Sequence, residues 1–282
     1  MRTLKALILL LCALGSGFII YTHYYRPPFD DQFPFYNLPG TEPEEIMYFV
    51  EGLPPHDSFS PELYHNIRSV DDAVIYIRTK HPNASEPELA RAAFDLTRSR
   101  FLHYMYPRHT FMTNPFLAVF GVFIPHRTFD AMYLGDDLLR HSAGASCGQA
   151  AGVFIEIWRG LGGKARAYHL KGHDIGEAMV DGQMWMVDPD LEAMAPHSID
   201  ELRANPELVV QVYSFLKPQD RIESMKRIFA DPDVWHYAFD EPPTTSPRIY
   251  LGQKWGNRLK FVFFPALAAA GLLLLRWRNR NR

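Results

Sequence analysis

Cysteine is almost missing from this sequence: two residues in 282, Cys12 and Cys147. A disulfide framework is thereby excluded as the device that holds the fold together. Cys12 lies in an apolar run, which leaves Cys147 with no obvious disulfide partner. Net charge is equally sparse, with a formal value of −3 and no dominant basic face, so nucleic acid is not expected as a partner. No internal repeat is visible. Ser142 and Ser146 lie outside any Gly-x-Ser-x-Gly frame, which argues against a hydrolytic serine of that kind. His169 and His173 are the nearest approach to a metal pair. No third or fourth ligand follows at a recognisable spacing, so neither a metal nor another cofactor is expected.

What the chain does have is apolar residues, 47% of the total, enough to bury a substantial core. Two uncharged runs stand at its ends. Residues 6–22, "ALILLLCALGSGFIIYT", follow Arg2 and Lys5, and residues 261–275, "FVFFPALAAAGLLLL", precede a tail containing Arg276, Arg278, Arg280 and Arg282. A bilayer-crossing helix takes roughly 17 to 25 apolar residues. The first run meets that length, and the second does so if Lys260 and Arg276 snorkel while Trp255 and Trp277 sit at the interfaces. Ala13–Gly15 resembles a cleavage site, but apolar residues continue through Phe18, Ile19 and Ile20, which favours an uncleaved anchor. Leu11 before Cys12 does not fit a lipoprotein attachment pattern. Basic residues at both ends place both termini in the cytoplasm, and the expected location is the inner (cell) membrane with the intervening domain periplasmic.

Between the runs, the expected order is an anchor over 1–24, a Pro- and aromatic-rich linker over 25–45, a domain over 46–240 and a second linker over 241–258. A membrane helix with a basic tail closes the chain over 259–282. Helix candidates lie at 43–52, from 69 to near Pro82, and at 85–105, where Ser85 and Glu88 form a capping box. "NAS" at 83–85 matches a glycosylation acceptor and is read as incidental. Residues 106–130 show no clean period and fit either an irregular covering loop or a partly membrane-associated segment. After 195, the spacing returns to helices.

The chemistry concentrates in one stretch. "SCGQ" at 146–149 pairs an N-cap serine with a glutamine three residues on, which puts Cys147 at the first helical position. The helix dipole there favours a thiolate, and Gly148 and Ala150 leave room for a substrate. The helix ends at Gly160, Gly162 and Gly163. "KARAYHL" at 164–170 reads as a strand. Asp181-Gly182 then marks a two-residue hairpin turn, pairing Val180 with Gln183, Ala178 with Trp185, Ile175 with Asp188 and His173 with Asp190. His173, Ile175 and Glu177 therefore share a face with Met186, Asp188 and Asp190, and His173 lies diagonal to Asp188. Asp190, directly opposite, is the rival carboxylate, and a bulge would exchange their roles. Met179, Met184, Trp185 and Met186 read as core, and Glu177 as a structural partner or a solvated strand residue. A thiol, an imidazole and a carboxylate so placed are the parts of a nucleophilic relay.

These residues resemble the transglutaminase-like superfamily, over 146–190 directly and more loosely back to about 85. The likeness rests on Cys147 opening a helix, the Leu161–Arg166 bend, His173 opening a strand, and the Trp185–Pro189 strand. The resemblance implies an α+β, papain-like core over about 85–195, with helices packed on an antiparallel sheet, here flanked by the two membrane helices. It implies Cys147 as nucleophile, His173 as base and Asp188 as orienter, with Gly148, Gln149 and Asp190 as oxyanion or supporting positions. The backbone N–H of Cys147 is the nominated oxyanion donor. Two features depart from the family: "HDIG" stands where an aromatic often follows the histidine, and no upstream oxyanion side chain is evident. The expected function is a membrane-anchored cysteine hydrolase or acyltransferase. It would act on peptide or protein amide bonds outside the cytoplasm, with cleavage favoured over cross-linking. The alternative is a non-catalytic binding or scaffold module with partners in a cell-envelope assembly complex.

Overall fold

The computed structural model describes residues 2–26, 58–102, 107–123, 131–216, 219–244 and 247–280. Most of the linker expected at 25–45, and the helix candidate at 43–52, lie outside the described residues. Among the described residues the helices are, in chain order, α1 (Arg2–Tyr24), α2 (Pro61–Asn66), α3 (Val70–Lys80), α4 (Glu86–Arg100), α5 (Pro115–Phe123), α6 (Gly135–His141), α7 (Cys147–Gly160), α8 (Ile199–Ala204), α9 (Pro206–Val212), α10 (Asp220–Ala230) and α11 (Pro247–Arg280). The strands are β1 (Lys164–Leu170), β2 (His173–Val180), β3 (Gln183–Asp188), β4 (Ala193–Ala195) and β5 (Trp235–His236). Together they form a mixed α/β chain with one antiparallel sheet and an apolar helix at each end. Two compact units divide it: 1–26, 108–131 and 251–282 in one, 27–107 and 132–250 in the other.

The smaller unit holds α1, α5 and most of α11. α1 and α11 are both long and apolar enough to cross a membrane by length and composition. Of the segment 106–130, which the spacing left undecided, the described residues 108–123 group with them. Phe111 packs on Phe18 and Phe116 on Phe263, with ring centroids 5.4 and 5.0 Å apart. Asn114 Nδ2 donates to Asn257 Oδ1 at 2.7 Å. α11 begins at Pro247, inside the stretch read as a linker over 241–258. Proline is well suited to the first helical position, and Tyr250, Leu251 and Trp255 then continue at helical spacing.

The larger unit is built on a five-stranded sheet in the order β4-β3-β2-β1-β5, antiparallel throughout. The β2–β3 register is the one the turn dictates, with Val180 opposite Gln183 and Ala178 opposite Trp185. Asp181 and Gly182 both take positive φ, 49° and 78°, as a type I′ turn requires. Alternation along the strands then makes two cores. On one face Ala165, Ala167, Ala178, Val180 and Val187 pack under α3, α4 and α7. Small residues there let α7 lie close: a side chain at Gly176 would already touch Ile155 and Phe154 at 3.7 and 3.8 Å. On the other face Tyr168, Leu170, Ile175 and Met186 pack under α8, α9 and α10. Glu177 is buried on that face as a structural partner, bridged to Arg166 Nη2 at 2.7 Å and accepting from the Ile199 N–H at 2.9 Å. Met186 is core, while Met179, Met184 and Trp185 near the turn are only partly buried.

Candidate active site

Cys147 opens α7 behind the N-cap Ser146, with Gln149 completing the capping box. Gln149 Oε1 accepts from the Ser146 N–H at 3.0 Å. Its Nε2 donates to the carbonyls of Pro107 and Met132 at 3.2 and 2.8 Å. The carboxamide is thus spent on backbone groups, and Gln149 supports the site without facing it. The loop entering the helix is braced from α4. The Arg100 guanidinium, fully buried, donates to the carbonyls of Ile67, Leu139 and Ser142. Leu102 and Ala145 add backbone bonds on the same loop. Buried cationic groups need such saturation to be tolerated.

His173 is the first residue of β2, set there by the Lys171-Gly172 turn, where Gly172 has φ +81°. Its Nε2 lies 2.7 Å from Asp188 Oδ2. Asp188, fully buried at the end of β3, has two further partners: the Tyr213 hydroxyl donates to Oδ2 at 2.8 Å and the Leu191 N–H to Oδ1 at 3.1 Å. The Leu191 bond also shapes the turn that presents Asp190. Of the two carboxylates in contention, Asp188 holds the ring. Asp190 joins Cys147 and His173, and one ligating atom from each of these three lies within 4.8 Å of the others. Cys147 is partly exposed, whereas His173 and Asp190 are buried. A thiol, an imidazole and a carboxylate therefore come together at one place.

Two residues at the site escaped the sequence reading. Tyr213 follows α9 in the second helical layer, and no local spacing connects it to Asp188. Asp174 points to the opposite face from His173, where its Oδ1 meets His169 Nδ1 at 2.5 Å. A Cβ at Gly148 would come within 2.6 Å of Asp174 Oδ2, so glycine at the second helical position is what lets this carboxylate approach. His169 also stacks on Trp235 with centroids 3.7 Å apart, and among the described residues it belongs to no cluster of three potential metal ligands.

The electrostatics correct one expectation. The helix dipole alone favours a thiolate at Cys147, but burial pushes the thiol above its ordinary range. Asp174 and Asp190 add to this, and His173 only partly opposes it. For His173, burial favours the neutral ring, yet the Asp188 carboxylate and Cys147 carry its pKa well above the ordinary 6.5. Tyr213 is likewise pushed well above its ordinary value by burial and by the Asp188 charge, and it stays a donor. In a coupled thiol–imidazole pair of this kind, the nucleophilic form is the one that has lost a single proton.

Comparison with protein-family models, curated proteins and solved structures finds no match for this chain.

Proposed function

We propose that this chain is a membrane-anchored thiol enzyme of transglutaminase-like, papain-like type, acting on peptide or protein amide bonds outside the cytoplasm. The observation that carries the reading is the imidazole of His173, bound through Nε2 to buried Asp188 at 2.7 Å with Cys147 within reach of the same ring. A carboxylate on one ring nitrogen orients the ring and stabilises its charged form, leaving the other nitrogen to trade a proton with sulfur. Cys147 Sγ attacks the carbonyl carbon while His173 holds the thiol proton. The amide C–N bond then breaks as His173 passes that proton to the leaving amine, and a thioester remains on Cys147. Water, or a second amine, attacks the thioester, gives a proton to His173 and releases the acyl group. The N–H of Cys147, at the unpaired start of α7, is the nominated donor to the oxyanion. Hydrolysis needs no second substrate site, which favours cleavage over cross-linking.

The two long apolar helices support anchoring. The basic residues flanking them support cytoplasmic termini, hence an extracytoplasmic site. A thiol-reactive acyl probe applied to the purified full chain tests the chemistry. Labelling is expected on Cys147, absent in Cys147→Ala and strongly slowed in His173→Ala. Slow labelling at the rate of a free thiol, indifferent to His173, would count against the enzyme and favour a binding module.

A further inference from the structure

The grouping of Cys147 with His173 and Asp190 has a use that needs no turnover. We infer that these three side chains form a binding site for one thiophilic divalent cation of the zinc type, which competes with the acyl substrate for the sulfur.

The donor set is the first argument. Thiolate, imidazole nitrogen and carboxylate oxygen are all zinc ligands, and three protein ligands leave a fourth, open position. From ordinary zinc bond lengths, a tetrahedral ion holds its ligand atoms about 3.4 to 3.6 Å apart. The three atoms here already lie within 4.8 Å of one another, so side-chain adjustment on the order of an ångström closes the site. Two of the ligands are buried, and their positions are fixed by secondary structure: His173 opens β2 and Asp190 sits in the turn between β3 and β4.

The second argument is the surroundings of the imidazole. A histidine that binds a metal through one nitrogen typically donates the other N–H to a carboxylate, which fixes the tautomer and raises ligand basicity. Asp188 is that acceptor for Nε2, at 2.7 Å, and is itself held by Tyr213 and the Leu191 N–H. Nδ1 is left for the cation.

The third argument is charge. A divalent cation displaces the thiol proton as it binds and meets the Asp190 carboxylate with opposite charge. Sequence spacing pointed away from a metal because no third or fourth ligand follows His169 and His173 at a recognisable spacing. The third ligand comes instead from the β3–β4 turn.

The test uses the full chain carrying Cys12→Ser, in detergent, stripped with chelator and titrated with Cd²⁺ and Co²⁺. A thiolate-to-metal charge-transfer absorption saturating at one equivalent is expected. It should vanish in Cys147→Ser and need at least tenfold more metal in Asp190→Asn. One equivalent of Zn²⁺ should protect Cys147 from alkylation, and chelator should restore the reaction, a readout that holds even if Asp190→Asn fails to fold. No absorption at saturating Cd²⁺, full absorption in Cys147→Ser, unchanged affinity in a folded Asp190→Asn, or alkylation indifferent to Zn²⁺ would each overturn the site. Metal binding without acyl-probe labelling would support the site and count against the thiol enzyme, so the two readings fail separately.

Discussion

Replacing Asp188 by asparagine keeps the shape of the side chain and removes its charge. In the native site one oxygen accepts from both His173 Nε2 and Tyr213, and the other from the Leu191 N–H. An asparagine that keeps its carbonyl toward His173 and Tyr213 must aim its NH₂ at the Leu191 N–H, donor against donor. The flipped amide loses the first two bonds instead. Either way a buried charge-assisted hydrogen bond is lost, at about 1.5–3 kcal/mol. The cost should depend on pH in a defined direction. Asp188 keeps folded His173 protonated to a pH well above the ordinary 6.5, so this stabilisation is complete below that value and is lost as pH rises through the folded pKa. In Asp188→Asn, burial acts on the ring with only Cys147 left to oppose it, so the bound proton works against folding at low pH. The gap between wild type and variant is therefore widest below about pH 6.5 and narrows toward alkaline pH. Denaturant unfolding of the detergent-solubilised full chain, read by near-UV circular dichroism at pH 6 and pH 9, measures it. A gap that is flat with pH, or widest at pH 9, would refute the reasoning.

Four further outcomes follow from the same contacts. Tyr213→Phe removes the 2.8 Å bond to Asp188 and should lower stability by about 1.5–3 kcal/mol, with acyl labelling of Cys147 slowed but still dependent on His173. Gly148→Ala brings a Cβ to 2.6 Å from Asp174 Oδ2; overpacking of this kind costs about 1–3 kcal/mol, measurable as a lowered unfolding midpoint. Alkylation of Cys147 should accelerate with rising pH, and Asp190→Asn should move that rise to lower pH by removing a carboxylate that disfavours the thiolate; a shift upward would contradict the electrostatic account. Burial and the Asp136 charge push the Glu156 carboxyl from 4.5 up to about 7. Its contribution to stability should therefore fall as pH rises across that interval, a slope that Glu156→Gln should flatten in unfolding curves.

Much of the geometry around sulfur was legible because it is set by local rules. The Asp181-Gly182 turn fixes which residues of β2 and β3 face each other, and from that register alone His173 falls diagonal to Asp188. Ser146 and Gln149, like Ser85 and Glu88, announce their helices by capping chemistry. The contacts that could not be read are those made across the fold. Tyr213 reaches Asp188 from a separate helical layer, and an apolar face on a short helix looks the same whether or not its tyrosine has a buried partner. Asp174 was passed over because strand alternation turns it away from His173, and only the packing of α7 shows what it meets. β5 is a pair of residues, too short for any period. The proton affinity of Cys147 was misread because the helix dipole is visible in sequence, whereas burial and the two carboxylates that outweigh it are not.

Tyr213 makes the hold of Asp188 on His173 answer to chain well downstream of the residues that would do chemistry. A protease nick between β4 and α9 would leave sulfur, imidazole and acid in an unbroken stretch of polypeptide, yet the acid would lose its hydroxyl latch and the ring its steady hold. Reactivity at Cys147 thus serves as a gauge of whether the far half of the domain is in place. Fragments ending near residue 195 should dull it without touching any of the three groups.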